Sequence, residues 1–135
     1  MCDSQRLVWA VVSLRRKFQM ENVFGAGRGG RHERGRVYIM RLPPEIIKIG
    51  CTGRSVTVRR RELEEEYGIR DLYVLRSFLV NDMGEGEDLA QAAVIEAHQL
   101  QRIEGHDDWF TVPPGVTLNE IVEIVEAALQ NIIVR

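Results

Sequence analysis

Short apolar runs separated by turn residues make up the middle of the chain. Residues 37–40 (VYIM) and 46–49 (IIKI) are rich in β-branched and aromatic side chains, and the turn signal Pro43-Pro44 lies between them. This pattern predicts two adjacent strands. Residues 70–80 (RDLYVLRSFLV) predict a third strand, and residues 108–112 (DWFTV) predict a short closing strand.

Helical periodicity marks the stretches between and after these strands. Ser55 is predicted to cap a helix that carries an arginine run in its first turns. Residues 85–101 combine acids in the first turn with several alanines, which favours a second helix. Residues 117–134 open with a Thr-x-x-Glu capping box and repeat apolar positions at helical spacing, so they predict a third helix.

The N-terminal part of the chain predicts a helix and a linker. Residues 4–22 have an amphipathic pattern, and the helix either packs on the core or a second copy of the chain, or lies along DNA as a basic arm. Residues 25–36 (GAGRGGRHERGR) predict a cationic linker that either contacts a nucleic acid backbone or is simply solvated. We therefore divide the chain into residues 1–35 and a domain of residues 36–135 that includes the C-terminal helix.

The turn after the second predicted strand is the candidate site. Gly50 and Gly53 permit a tight loop, which would bring Tyr38 and the arginine helix to one place. A phenol can donate or accept a proton, and a guanidinium can clamp phosphate oxygens, so the pattern predicts an anion site. On the strand pattern alone, Tyr38 is better explained as an aromatic packed in the sheet. Cys51 is better explained as a small core residue than as a nucleophile.

Charge is unevenly distributed, although the net charge is only −2. Residues 1–61 hold 14 Arg and Lys against 4 Asp and Glu, whereas residues 62–135 hold 4 against 16. The basic half suits a polyanionic partner such as DNA. Alternatively, the two halves neutralise one another across the fold or across a dimer contact.

Length and composition bound the class of protein. At 135 residues and 44% hydrophobic composition, the chain predicts one soluble domain. No run approaches the ~18 apolar residues of a membrane helix, so we expect no membrane partner. Cys2 and Cys51 form neither a disulfide framework nor a metal-binding spacing, which predicts an intracellular setting, cytoplasmic or nuclear. The terminal helices make a homodimer a further expectation.

Several motifs stand in a defined order along the central part of the chain. They are Val37-Tyr38-Ile39, Lys48-Ile49-Gly50, Thr52 and Arg59-x-x-x-Leu63. Together they resemble the core of the GIY-YIG nuclease superfamily, and most of all its branch from phage, viral and fungal proteins, whose second motif reads KIG. The resemblance runs from Arg36 to about Val112 and includes Asp108-Trp109-Phe110, where that branch usually has Glu-Trp-Phe. It implies an α/β fold of the α+β kind, in which helices flank a small, mainly antiparallel three-stranded sheet. The predicted N- and C-terminal helices lie outside the resemblance and are extra to this fold.

The resemblance also implies site residues. Tyr38 would activate or position water, Arg59 would clamp the phosphate, and Lys48 would assist with phosphate charge. The residues expected to contact DNA are Arg36, Arg54, Arg60 and Arg61. The residues expected to maintain the motif are Gly50, Thr52, His98 and Trp109, the last as a core anchor.

A divalent metal, Mg²⁺ or Mn²⁺, completes the chemistry that the resemblance implies. Proteins of this branch usually carry a glutamate four residues before a histidine on the helix after the third strand. His98 is present, but Val94 stands where the glutamate is expected. Of the remaining helix acids, Glu87, Asp88 and Glu96, we take Glu96 as the predicted metal ligand, on an alignment shifted by a shorter following loop.

Two functions from different classes remain open. The first is a GIY-YIG-like endonuclease that cleaves DNA phosphodiesters with Tyr38, Arg59 and Glu96. The second is a catalytically degenerate protein of the same fold that binds nucleic acid or a protein partner, and Val94 favours it. A scaffold that oligomerises through the terminal helices is a third, less specific alternative.

Overall fold

The computed structural model describes residues 31–135, so the helix predicted for residues 4–22 and most of the Gly/Arg linker lie outside the described residues. The elements in chain order are β1 (Gly35–Leu42), β2 (Ile46–Thr52), α1 (Val56–Tyr67), β3 (Tyr73–Val80), α2 (Met83–His98), β4 (Gln101–Ile103), β5 (His106–Thr111) and α3 (Leu118–Ala128).

The strands form one antiparallel sheet in the order β3-β1-β2-β5-β4. The predicted α+β class is confirmed, but the sheet has five strands rather than three. The predicted closing strand is β5, which pairs with β2, and β4 adds the outer edge. The sequence pattern predicts that the preceding helix extends to Gln101, which is instead the first residue of β4. That helix ends at His98 because Gln99 adopts a left-handed conformation (φ 58°), which turns the chain back towards the sheet.

Apolar side chains on both faces of the sheet are buried, and each face has its own helical cover. On β1, Tyr38, Met40 and Leu42 belong to the core under α1. Val37 and Ile39 alternate with them and belong to the core under α2 and α3. Because side chains of a strand point alternately to its two faces, this near-continuous apolar run is what a strand covered on both faces requires.

Side-chain caps define where the helices begin. Ser55 caps α1 as predicted, and its side chain accepts a hydrogen bond from the amide of Val58 at 3.4 Å. Thr117 caps α3 by accepting from the amide of Glu120 at 3.1 Å. The Glu120 carboxylate does not complete the capping box, because it faces His98 on α2, at 3.9 Å.

The last helix is shorter than predicted. α3 stops at Ala128, whereas the periodicity extended to residue 134. Ile133 instead bridges to Val80, and the amide of Val134 donates to the carbonyl of Leu79 at 2.8 Å. These contacts hold the partly buried terminal apolar residues against β3, and a continued helix would carry them away from the sheet.

Within residues 31–135, no helix is long and apolar enough to cross a membrane.

The structure explains why position 94 does not carry a glutamate. Val94 is fully buried in the core between α2 and the sheet. We expect Val94→Glu to lower the free energy of unfolding by at least about 3 kcal/mol, because it would bury a charge without a partner.

Urea denaturation of Val94→Glu, with Ala92→Glu as a matched control, tests this expectation. Residue 92 is exposed on the same helix, so its substitution should stay within about 0.5 kcal/mol of wild type. Equal stability of the two variants would show that position 94 can hold a carboxylate.

Candidate functional site

A pocket of about 450 Å³ opens where β2 runs into the loop before α1. It is lined by Arg31, Tyr38, Lys48, Gly50, Cys51, Thr52, Gly53, Arg54, Arg59, Met83, Glu87 and Asp108. We call it the Tyr38 pocket. Its walls come from β1, β2, the following loop, α1, α2 and β5, so it exists only when the sheet and the helices have assembled.

Tyr38 and Gly50 are directly opposite one another in the β1–β2 pair. The Tyr38 side chain lies across Gly50, so that a Cβ at position 50 would be 2.4 Å from the Tyr38 hydroxyl oxygen. Glycine is therefore needed at position 50 because the phenol occupies the space of a side chain. The contact holds the ring of Tyr38, which is 1% exposed, while its hydroxyl group borders the pocket.

Arg59 brings a guanidinium from α1 to the same phenol. Its side chain is half-buried and its guanidinium lies beside the Tyr38 hydroxyl group. Arg59 also lies 3.7 Å from Glu62 and 3.6 Å from Glu66. Burial alone would lower the pKa of Arg59, but attraction to Tyr38 and Glu66 outweighs it and holds the pKa above its usual value. The guanidinium thus stays charged beside the hydroxyl group.

Lys48 is a buried cation whose charge is matched by Asp108. Lys48 is 3% exposed, and its ammonium group forms an ion pair with the Asp108 carboxylate. Burial opposes the charge on Lys48, but attraction to Asp108 outweighs burial and raises the lysine pKa. Burial likewise opposes the charge on Asp108, but Lys48 holds the pKa of that carboxyl below its usual range. Lys48 also lies 6.0 Å from the ring centre of Tyr38 and 5.4 Å from that of Trp109.

Glu87 brings a carboxylate from α2 to the pocket. One of its oxygens accepts a hydrogen bond from the thiol of Cys51 at 2.8 Å, and the other accepts from the side-chain amide of Gln91 at 3.2 Å. Arg31 lies 3.6 Å from it on the solvent side. Burial and the neighbouring carboxylate raise the pKa of Cys51 to about 12. That thiol stays protonated at neutral pH, which agrees with the prediction that it is not a nucleophile.

Other predicted site residues lie at different distances from the pocket. Arg54 and Thr52 line it, and the hydroxyl oxygen of Thr52 accepts from the amide of Arg54 at 3.1 Å. Glu96 is exposed and does not line the pocket, and His98 faces Glu120 on α3. Trp109 is fully buried as predicted and packs edge-on against Tyr67 at 5.4 Å.

Three of the arginines predicted to contact DNA lie outside the pocket. Arg60 is held by Glu64 on its own helix, at 2.8 Å. Arg36 and Arg61 are exposed, and neither forms an ion pair with an acid in the described part of the chain. Arg36 is paired across the sheet with Thr52, so it lies next to the pocket rim.

Neutralisation within the fold accounts for much of the charge asymmetry. The cations of the pocket, Arg31, Lys48, Arg54 and Arg59, each have an acid partner from residues 62–135. Of the two interpretations left open by the sequence, mutual neutralisation of the halves applies to these residues. The exposed Arg36 and Arg61 keep their charge available to a polyanion.

The oxygen groups of the pocket fit a metal held by a single carboxylate. Among residues 31–135, no group of three or more His, Cys, Asp or Glu side chains is arranged to hold a metal ion. Mg²⁺, however, usually keeps several waters and binds one or two carboxylates together with substrate phosphates. Asp108 is bound to the buried Lys48, whereas the cation beside Glu87 is the partly exposed Arg31, at 3.6 Å. Glu87 is therefore the carboxylate of the Tyr38 pocket that better fits this mode.

Sequence reasoning considered Glu87 but preferred Glu96 as the metal ligand, and it did not identify Arg31 or Asp108 as site residues. The family pattern defines the glutamate by its distance from His98, and this distance points to position 94 and, with a shifted alignment, to position 96. Glu87 lies about two helical turns before Val94 and therefore on nearly the same face of α2. Helical spacing from Val94 was the signal that could have identified Glu87.

The sequence of residues 35–129 matches the family model described as the T5orf172 domain. This match spans more than half of the chain and includes every strand and helix described above. The chain belongs to the T5orf172 domain family. No curated protein and no solved structure matches the chain.

The contact between Tyr38 and Gly50 predicts that a methyl group at position 50 is harmful. We expect Gly50→Ala to lower the free energy of unfolding by about 1–3 kcal/mol, because its Cβ would overlap the buried phenol. Gly53→Ala is the matched control, since a Cβ there meets only Met83 at 3.7 Å. Urea denaturation of both variants tests the contact, and equal stability would contradict it.

The Lys48–Asp108 pair predicts a pH-dependent loss of stability. At neutral pH, Asp108→Asn should lower the free energy of unfolding by on the order of 2–3 kcal/mol, because it leaves Lys48 charged and buried. This is less than for a fully enclosed pair, since Asp108 is 35% exposed. The exposed neighbour Asp107 offers a control, since Asp107→Asn should leave the free energy of unfolding almost unchanged.

The sign of the pH effect follows from the lowered pKa of Asp108. Its stabilising contribution is present above the pKa of an unfolded aspartate, about 3.9, and is lost as the pH falls through the native value. The stability gap between wild type and Asp108→Asn should therefore narrow below about pH 4. Denaturation curves recorded between about pH 3 and about pH 8 give this stability gap on both sides of the transition. A gap that does not change with pH would contradict the assignment.

Proposed function

We propose that this protein is a nuclease of the GIY-YIG type that cleaves DNA phosphodiesters with a divalent metal. The observation that carries the proposal is the convergence of Tyr38, Arg59 and Glu87 on one pocket, from three different elements. Association of the T5orf172 domain with endonuclease-type proteins supports the same chemistry.

In this proposal Arg59 binds the scissile phosphate. A guanidinium presents parallel N–H donors that match two phosphate oxygens, and its charge stabilises the negative charge that builds up during cleavage. The ion pairs of Arg59 with Glu62 and Glu66 aim the side chain across α1 towards Tyr38. Substrate phosphate would therefore lie within reach of the phenol.

Tyr38 orients the attacking water by accepting a hydrogen bond from it, and the phenol oxygen takes up the water's proton as the phenol's own proton passes to solvent in the pocket. The phenol oxygen lies beside the charged Arg59 and near the buried Lys48, and both cations favour negative charge on that oxygen during proton transfer. Lys48 stabilises negative charge on Tyr38 rather than on the phosphate, because its ammonium group is already paired with Asp108.

Glu87 would hold the Mg²⁺ or Mn²⁺ ion, which supplies Lewis-acid stabilisation of charge on the phosphate oxygens. Glu87 therefore replaces Glu96 as the proposed metal ligand. Arg54 at the pocket, with the exposed Arg36 and Arg61, would contact the flanking DNA backbone.

A binding function without catalysis is the second candidate. It is favoured because one of the two carboxylates of the pocket, Asp108, is bound to Lys48, and because each of the pocket cations already has an acid partner. A protein of this kind would hold nucleic acid through its exposed arginines, with Tyr38 and Arg59 retained for phosphate binding alone.

Nicking of supercoiled plasmid in Mg²⁺ or Mn²⁺ separates the two candidates. We expect Tyr38→Phe, Arg59→Ala and Glu87→Gln each to reduce the rate by about 10²-fold or more, since each removes a group that acts on charge or a proton in the transition state. Glu96→Gln is the matched control, because it makes the same change on an exposed part of α2 and should leave the rate unchanged.

Two results would contradict the nuclease assignment as stated. Loss of activity in Glu96→Gln but not in Glu87→Gln would place the metal elsewhere. A wild-type protein that is inert in both metals, yet binds DNA with a steep salt dependence, would establish the binding function instead.

A further inference from the structure

Gln91 is a buried polar residue of α2 that the proposed chemistry leaves without a role. It is 6% exposed, and its amide nitrogen donates to the carbonyl of Ile49 at 2.9 Å and to Glu87 at 3.2 Å. Its amide oxygen accepts from Arg102 at 3.4 Å. The amide is thus bonded on both sides, as a buried amide must be to offset its loss of water.

The bond to Ile49 ties the helix to the strand that carries Gly50. Lys48 is the last residue of β2 that pairs with β5, and Ile49 follows it. Gln91 reaches across at this point, where β5 no longer accompanies β2. One side chain therefore links the backbone beneath the Tyr38 pocket to the carboxylate of Glu87.

The Glu87 carboxylate is held at both of its oxygens. One oxygen accepts from Gln91, and the other accepts from the thiol of Cys51 on β2. Arg31 also lies 3.6 Å from the oxygen that Cys51 contacts. An ionised carboxylate has about four lone-pair sites, so these contacts still leave a site that can face a cation.

We propose that Gln91 is a positioning residue that, together with Cys51, orients the Glu87 carboxylate for a divalent cation. The inference rests on the proposed function and extends it to residues that do not touch the substrate. Arg102 supports the arrangement by fixing which end of the Gln91 amide faces Glu87, because a guanidinium only donates and so must meet the amide oxygen.

The test is the Mn²⁺ dissociation constant of the full-length protein without DNA, measured by electron paramagnetic resonance of free Mn²⁺. Gln91→Met keeps the length of the side chain but removes its polar atoms, and it should weaken binding by about 10–100-fold, as expected for a residue that orients a metal ligand. Gln101→Met makes the same change at an exposed position of β4 and should leave the affinity unchanged.

Cys51 provides a second pair of variants that does not depend on the folding of Gln91→Met. Cys51→Ser retains a donor at the same place and should bind Mn²⁺ nearly as wild type does. Cys51→Ala removes the donor and should weaken binding. Unchanged affinity in a folded Gln91→Met, or in Cys51→Ala, would overturn the proposal.

The outcomes also distinguish the positioning role from the nuclease activity. If the wild type binds Mn²⁺ in a manner that needs Glu87 and Gln91 but cleaves no DNA, the nuclease proposal falls and the positioning role stands. If the wild type cleaves DNA and Gln91→Met keeps full Mn²⁺ affinity, the nuclease proposal stands and the positioning role falls. If Glu87→Gln does not affect Mn²⁺ binding, the positioning role is wrong.

Discussion

The antiparallel register of β1 against β2 determines the geometry of the whole pocket. It places Tyr38 opposite Gly50, and the missing side chain at Gly50 is what allows the phenol to lie across the strand. Lys48 lies two residues from Gly50 on the same face and therefore comes to rest beside the ring. A slip of one residue would turn Tyr38 to the opposite face of the sheet, where α2 packs, and would separate it from Arg59.

Buried charge is the second constraint on this site. Lys48 lies in an apolar wall formed in part by Trp109, and it can stay charged there only because β5 brings Asp108 to it. The same arrangement limits its chemistry, because a lysine held by a carboxylate is not free to bind phosphate. Arg59 differs, since its acid partners lie along α1 and leave the guanidinium against Tyr38.

The rotation of α2 about its axis decides whether Glu87 or Glu96 faces the pocket. Both residues are acids of α2, but only Glu87 lies at the end of the helix that passes over β2 and its following loop. Which acid meets the pocket depends on the rotation of α2 about its axis. That rotation follows from the burial of Ala90 and Val94 against the sheet and from the close approach of Gly86 to Val37.

The sequence by itself determined the strands β1 and β2, the Ser55 and Thr117 caps, and the pairing of Tyr38 with an arginine helix, because these depend on local patterns and short turns. The sequence also matches the T5orf172 domain over residues 35–129. Only the tertiary structure decided that Glu87 rather than Glu96 enters the pocket, that Asp108 neutralises Lys48, and that Gln91 joins α2 to β2. These contacts connect residues distant in the chain, and their formation depends on how helices and strands pack, which no local pattern encodes.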